Sequence, residues 1–188
     1  MDTPDGARKK CQRFNIPGDV HELTFSCYKR RPFLSADRSR TYLAQAIAKA
    51  RDTHGFHLWA YVFMLEHVPL LVWPPRPEYS VSSILQSIKQ SVSRKALIYL
   101  RRHNPKGLRH LATGQKHSPY HFWQDGGGYD RNLTSTDAMR ASLDYIHNNP
   151  VRKSLVAYPE DWPWSSAKAW AGSESGPLSI DKESVPAL

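Results

Sequence analysis

Cysteines and long apolar runs are scarce in this sequence. Its 188 residues include two cysteines, Cys11 and Cys27. Two are too few for a disulfide scaffold, and their spacing does not suit a metal site, so we expect reduced thiols in a cytosolic protein. No apolar stretch approaches the ~18 residues that a transmembrane helix needs. Met1–Arg13 is polar and precedes no hydrophobic stretch, so we expect no signal peptide and no membrane partner.

Acidic residues are absent over one long stretch, from Tyr79 to Gln124. The chain has 26 basic and 17 acidic residues, a formal net charge of +9. A field of one sign attracts a polyanion, so this stretch predicts contacts with nucleic acid. The residues that we expect to bind DNA are Lys89, Arg94, Lys95, Arg101, Arg102 and Lys116. The alternative interpretation is a solvated basic helix face.

Hydrophobic periodicity predicts seven elements. They are strands over 21–28, 57–64, 67–73 and 120–124, and helices over 39–51, about 80–103 and about 136–148. The glycines that follow the fourth strand indicate a turn, after which residues 129–133 are predicted to complete a hairpin. The first six elements follow the βαββαβ order, so we predict an α+β, ferredoxin-like fold with an antiparallel sheet and a further C-terminal helix.

Composition divides the chain into three parts. Residues 18–170 form a predicted single domain. Residues 1–17 are predicted to be a flexible, basic lead-in. The tail, residues 171–188, is rich in serine, proline and acidic residues, so we expect it to be disordered.

Four segments of the chain carry a specific pattern. They are Tyr61–Pro74 (YVFMLEHVPLLVWP), Phe122–Gln124 (FWQ), Asp144–Arg152 (DYIHNNPVR) and Trp162–Ser166 (WPWSS). In this order they resemble motifs of the REP-associated tyrosine transposases, a branch of the single-tyrosine HUH transposases. The resemblance extends over roughly residues 18–170. One such motif alone is weak, whereas four in order are specific.

The resemblance implies a defined chemistry on single-stranded or hairpin DNA. In the family, two histidines that alternate on a strand hold a divalent cation, magnesium or manganese. A helix brings a tyrosine to that cation, and its hydroxyl attacks a phosphodiester to give a 5′-phosphotyrosine link and a free 3′ hydroxyl. A polar residue one helical turn later completes the metal site. The matching positions are Tyr145 as the nucleophile, with His67 and Asn149 as metal ligands.

The spacing of these residues suits such a site. Tyr145 and Asn149 are four apart, so a helix places them on one face. A second face, made of Met139, Leu143 and Ile146, is predicted to pack on the sheet. Relatives of this class are monomers or dimers, and the sequence leaves both states open.

One position departs from the family pattern. Where the second histidine stands, two residues after His67, this chain has Pro69. Proline offers a metal no lone pair and a β-ladder no N–H. Three explanations are open. The cation is held by fewer protein ligands, with water and phosphate; His147 or Glu66 substitutes for the histidine; or the protein is a catalytically decayed relative that still binds DNA.

Three other functions remain open as alternatives. The first is a nucleic-acid-binding module without catalysis, which Pro69 favours. The second is a metal-dependent nuclease that uses water as its nucleophile. The third is an interaction protein whose basic face is incidental.

Overall fold

One antiparallel sheet of four strands forms the centre of the fold. The computed structural model describes residues 13–173 and 176–187. Its strands are β1 (Val20–Ser26), β2 (His57–Tyr61), β3 (His67–Trp73) and β4 (Tyr129–Leu133). The spatial order is β2-β3-β1-β4. The central strands β1 and β3 are buried along most of their length because helices cover both faces of the sheet.

Two long helices cover one face of the sheet. Helix α1 (Asp37–His54) ends at Gly55, whose φ of 67° is the left-handed conformation that glycine adopts readily. Helix α2 (Val81–His103) begins after Ser80, whose side chain accepts a hydrogen bond from the Ser83 amide at 3.2 Å. The order β1-α1-β2-β3-α2-β4 confirms the predicted α+β, ferredoxin-like architecture.

A third helix lies on the opposite face. In α3 (Thr136–His147), the predicted apolar face of Met139, Leu143 and Ile146 is buried against residues such as Leu71 of β3. This helix packs mainly over β2 and β3, which leaves the β1–β4 half of the face less covered. Short helices α4 (Asn149–Arg152) and α5 (Ala167–Trp170) follow. None of the helices in the described part of the chain has the length and apolar character needed to cross a bilayer.

The chain between α2 and α3 differs from the prediction. Tyr120–Gln124 is not a strand; Trp123 makes one isolated bridge with Cys27, while β4 pairs with the upstream part of β1. The predicted hairpin is therefore wrong, because both segments run along the same edge of β1. A glycine-rich turn separates them, and a β-carbon on Gly128 (φ +74°) would stand 2.2 Å from the Thr24 carbonyl oxygen. Only glycine lets the chain approach β1 this closely.

The start of the described chain is held by polar contacts, in contrast to the predicted flexible lead-in. Arg13 forms an ion pair with Asp130 at 3.2 Å, and Asp130 also contacts the buried ring of His21 at 2.9 Å. The Ile16 carbonyl accepts a hydrogen bond from the Tyr79 hydroxyl at 2.8 Å. A polar segment can be anchored by such charge-assisted contacts without apolar burial. Residues 1–12, including Cys11, lie outside the described chain.

The C-terminal segment, residues 176–187, also packs on the domain, whereas composition predicted a disordered tail. Leu178 is 9% exposed, and its amide and carbonyl bond to the Tyr61 hydroxyl at 3.0 and 3.1 Å. Asp181 accepts from the Leu58 amide at 2.8 Å. These contacts cover the edge of β2 that does not face β3. Protection of an exposed strand edge is the physical reason for the order of this polar segment.

Removal of residues 176–188 is expected to lower the free energy of unfolding by about 3 kcal/mol and Tm by about 10 °C. The loss combines the burial of Leu178 with the hydrogen bonds of Asp181, reduced by the entropy that the released segment regains. Thermal unfolding followed by circular dichroism measures it. As a control, Glu183→Gln, at an exposed position, should move Tm by less than about 2 °C. Equal Tm values for the truncated and full-length chains would contradict the packing role of this segment.

Candidate active site

Tyr145, near the end of α3, and Asn149, the first residue of α4, lie on one side of the helical segment. Pro150 has no amide hydrogen, so it cannot donate to the Ile146 carbonyl one turn earlier. The side chain of Asn149 supplies that donor instead, because its Nδ2 lies 3.2 Å from the Ile146 oxygen and 2.9 Å from the Tyr145 oxygen. Because the side-chain nitrogen of Asn149 donates to these two carbonyls, its side-chain oxygen faces the sheet.

His67, the first residue of β3, meets that oxygen. Its Nε2 lies 3.4 Å from Asn149 Oδ1, and its Nδ1 lies 3.1 Å from Glu66 Oε1. A carboxylate at Nδ1 favours the tautomer with the hydrogen there, which leaves the Nε2 lone pair directed at Asn149. His67 and Asn149 are buried, whereas Tyr145 is 45% exposed. The structure thus brings the three predicted site residues to one place.

These residues line a cleft of about 340 Å³, here named the His67 cleft. Its lining residues are Thr24, Arg30, His67, Pro69, Tyr145, Asn149, Arg152 and Lys153. Tyr145 lies at the opening of the cleft, where its ring is accessible to solvent. The buried side chains of His67 and Asn149, which could supply metal ligands, lie further inside. The arrangement can place a phosphate between an accessible hydroxyl and a group of cations.

Pro69 lies in the cleft without distorting the central strand. It pairs with Thr24 of β1, and its carbonyl accepts from the Val62 amide at 3.2 Å. The N–H and C=O groups of one strand residue point to the same side of the strand, so an amide hydrogen at position 69 would point toward Val62 and not toward β1. On that side the neighbouring strand, β2, has already ended at Tyr61. The ladder between β1 and β3 therefore needs no donor from Pro69.

The donor set fits part of a divalent-cation site. The Nε2 of His67 and the Oδ1 of Asn149 are 3.4 Å apart, near the roughly 3 Å between neighbouring ligands of an octahedral magnesium ion. Pro69 adds no donor, and no group of three or more His, Cys, Asp or Glu residues within 13–173 and 176–187 could hold a metal. A cation here would have two protein ligands and complete its shell with water or phosphate oxygens, which magnesium accepts.

Neither side chain considered as a substitute for the missing histidine occupies its place. The Nε2 of His147 lies 2.8 Å from the Ser166 hydroxyl. Burial lowers the pKa of His147 to about 4, so its ring is neutral. Glu66 contacts the Nδ1 of His67, the nitrogen turned away from Asn149. Glu66 therefore orients the histidine ring instead of adding a ligand beside it.

Three cations that were not selected as site residues from the sequence line the His67 cleft. The guanidinium carbon of Arg152 lies 4.8 Å from the centroid of the Tyr145 ring, and Arg30 and Lys153 line the same cleft. Arg30 and its neighbour Lys29 both have positive φ angles, 50° and 53°, a conformation that costs non-glycine residues energy and often marks functional sites. The seven-residue spacing of Tyr145 and Arg152, two helical turns, is the signal in the sequence that points to Arg152.

The cations predicted to bind nucleic acid form a separate surface. All but one belong to α2, in the helix layer on the other face of the sheet from α3. Lys89 donates to the Gly126 carbonyl at 3.1 Å, and burial lowers its pKa. Lys95 donates to Gln45 at 2.6 Å. The four exposed members are Arg94, Arg101, Arg102 and Lys116.

Comparison with known proteins agrees with this fold. Residues 20–149 match a family model described as transposase IS200 like. A REP-associated tyrosine transposase of Escherichia coli (strain K12) is 24% identical over 155 residues, which are 82% of this chain and 80% of that protein. A solved structure of a REP-associated tyrosine transposase bound to a REP hairpin has a TM-score of 0.67 at 22% identity and covers 96% of this chain and 98% of its own. Since the matched span exceeds half of the sequence and runs from β1 to Asn149, the chain belongs to the IS200-like transposase family.

Proposed function

We propose that the protein binds hairpin DNA ends and cleaves and rejoins single-stranded DNA through a covalent link to Tyr145. One observation carries this proposal: a single cleft contains an accessible tyrosine, two potential metal ligands and two cations. They are Tyr145, the Nε2 of His67 and the Oδ1 of Asn149, and Arg30 and Arg152. The hairpin-bound relative supports the choice of substrate. Such a protein acts on DNA of the cytoplasmic nucleoid, as a monomer or a homodimer.

Tyr145 supplies the nucleophile in this proposal. Its oxygen bonds to the phosphorus atom, the bond to the 3′ oxygen breaks, and the 5′ phosphate stays on the tyrosine. The tyrosine gives up its proton, and the leaving 3′ oxygen takes one up, so the step balances. The covalent link conserves the phosphodiester bond energy, which allows a 3′ hydroxyl to reverse the reaction and rejoin the strand.

Arg30, Arg152 and Lys153 hold the scissile phosphate. Cations aimed at the position where negative charge develops stabilise a phosphoryl-transfer transition state. Arg152 also contacts the Tyr145 ring, at 4.8 Å from its centroid, which orients the nucleophile.

His67 and Asn149 are the residues that would hold a magnesium or manganese ion. When bound, the ion offsets phosphate charge and polarises the scissile bond. Contacts within the protein already orient both metal-ligand atoms. Glu66 fixes the ring of His67, and the carbonyls of Tyr145 and Ile146 fix the amide of Asn149.

Pro69 favours a second candidate function, the binding of hairpin DNA without cleavage. A site that lacks one family ligand holds its cation more weakly. The exposed cations of α2, Arg94, Arg101 and Arg102, then account for the function by contacting DNA phosphates. Such binding weakens steeply as salt rises, and no covalent adduct forms.

Incubation of the protein with end-labelled hairpin DNA from the flanks of its own gene, in the presence of Mn²⁺, separates the two candidates. We expect a covalent protein–DNA band on a denaturing gel, with the nucleotide attached to the peptide that contains Tyr145. Hairpin binding without this band would support the second candidate. Cleavage without a covalent product would identify water as the nucleophile, and failure to bind DNA would overturn both candidates.

A further inference from the structure

We infer that a second cleft, beside Tyr145, receives one nucleobase of the bound strand and distinguishes bases with an amino group from thymine. This inference rests on the proposed function, because it assigns the base next to the phosphate held at Tyr145. The second cleft, here named the Glu22 cleft, has a volume of about 590 Å³. It is lined by Glu22, Thr24, Tyr129, Arg131, Ala141, Ser142 and Tyr145.

Two polar side chains face the Glu22 cleft without partners. Glu22 is 7% exposed, and its carboxylate forms no hydrogen bond or ion pair with the rest of the described chain. The hydroxyl of Ser142 is buried and likewise has no hydrogen-bond partner among the described residues. Buried hydroxyls in folded proteins are almost always paired, so the Ser142 hydroxyl favours a ligand that would pair with it. The Glu22 carboxylate lines the cleft and is free to accept hydrogen bonds from a ligand with N–H donors.

The sheet sets the other walls of this cleft. Glu22 pairs with Arg131, and Thr24 pairs with Tyr129, between β1 and β4. Side chains at alternate positions of a strand share a face, so all four lie on the α3 side of the sheet. Tyr129 is 49% exposed and offers a ring face on which a base can stack. Arg131 is exposed and can contact the adjoining phosphate.

The two clefts are adjacent. Tyr145 and Thr24 line both of them. A phosphate in the His67 cleft is therefore close to a base in the Glu22 cleft. Because Tyr145 borders both clefts, the Glu22 cleft suits a base of the cleaved strand.

The carboxylate of Glu22 determines which base fits. A carboxylate accepts hydrogen bonds and donates none, so it pairs with the N4 amino group of cytosine. Thymine presents carbonyl oxygens on both sides of its single N–H, and these repel a carboxylate. Among pyrimidines, the Glu22 cleft therefore selects cytosine over thymine.

Binding of labelled oligo-dC and oligo-dT decamers, measured by fluorescence anisotropy, tests the inference. We expect the wild-type Kd for oligo-dC to be about 10-fold lower than for oligo-dT. In Glu22→Gln, whose amide can also donate to thymine, the two Kd values should agree within about twofold. Glu78→Gln removes the same charge at an exposed position and should keep the 10-fold ratio.

Each possible outcome is decisive. Equal wild-type binding of the two decamers, binding of neither, or an unchanged ratio in Glu22→Gln overturns the inference. A ratio that collapses in Glu22→Gln alone, in a protein that forms no Tyr145 adduct, supports the base site and refutes the covalent step. An adduct without base discrimination refutes the base site and leaves the covalent step standing.

Discussion

The covalent adduct is expected to disappear in Tyr145→Phe, with a loss of at least about 1,000-fold. The substitution removes the attacking oxygen and keeps the ring on which Arg152 lies. The Tyr145 hydroxyl forms no hydrogen bond within the described chain, and the side chain is 45% exposed. Hairpin affinity should therefore stay within about twofold and stability within about 0.5 kcal/mol. Denaturing gels measure the adduct, and anisotropy measures binding by the same preparation.

Tyr158→Phe is the matched control for this experiment. It removes a hydroxyl from a tyrosine that is 68% exposed and does not line the His67 cleft. Its adduct yield should equal that of the wild type. If Tyr145→Phe formed an adduct as readily as the control, another residue would be the nucleophile and the proposed role of Tyr145 would be wrong.

Restoring the family ligand in Pro69→His is expected to tighten Mn²⁺ binding about 10- to 100-fold. Residue 69 lies two positions after His67, so its side chain shares the face of the strand on which His67 meets Asn149. The cleft of about 340 Å³ has room for an imidazole. At limiting Mn²⁺, the rate of adduct formation should rise by a similar factor.

The loss of the free Mn²⁺ signal in electron paramagnetic resonance measures cation affinity without DNA and separates ligation from catalysis. Pro69→Ala is the control, because it restores the backbone N–H and adds no metal ligand. We expect it to bind Mn²⁺ as the wild type does. A folded Pro69→His variant with wild-type Mn²⁺ affinity would show that His67, residue 69 and Asn149 do not form a common cation site.

The local features of the site could be predicted from the sequence. The four-residue spacing of Tyr145 and Asn149 fixes their common side of a helix end, whatever the helix packs against. Pro150 interrupts the helix between α3 and α4 because it lacks an amide hydrogen. The missing amide hydrogen of Pro150 also explains the orientation of Asn149, which residue spacing alone does not predict. The Asn149 side-chain nitrogen donates to the Ile146 carbonyl, and its oxygen therefore faces His67.

The pairing of the last strand could not be predicted in this way. Residues 120–124 and 129–133 are each β-prone and flank three glycines, which is the local pattern of a hairpin. In the structure both segments instead lie along β1, more than 90 residues earlier in the chain. Local periodicity cannot distinguish two strands that pair with each other from two segments that share one distant neighbour.

The sequence by itself determined the order and type of the main elements, the family motifs and the spacing of Tyr145 with Asn149, because these depend on hydrophobic period and helix geometry. Only the tertiary structure decided which charges meet. It placed the α2 cations on the face away from Tyr145, brought Arg152 to its ring and Arg30 to the same cleft, and left Glu22 unpaired in the neighbouring cleft. The physical reason is that cross-strand register and helix docking set these distances, and both are long-range properties that no local pattern encodes.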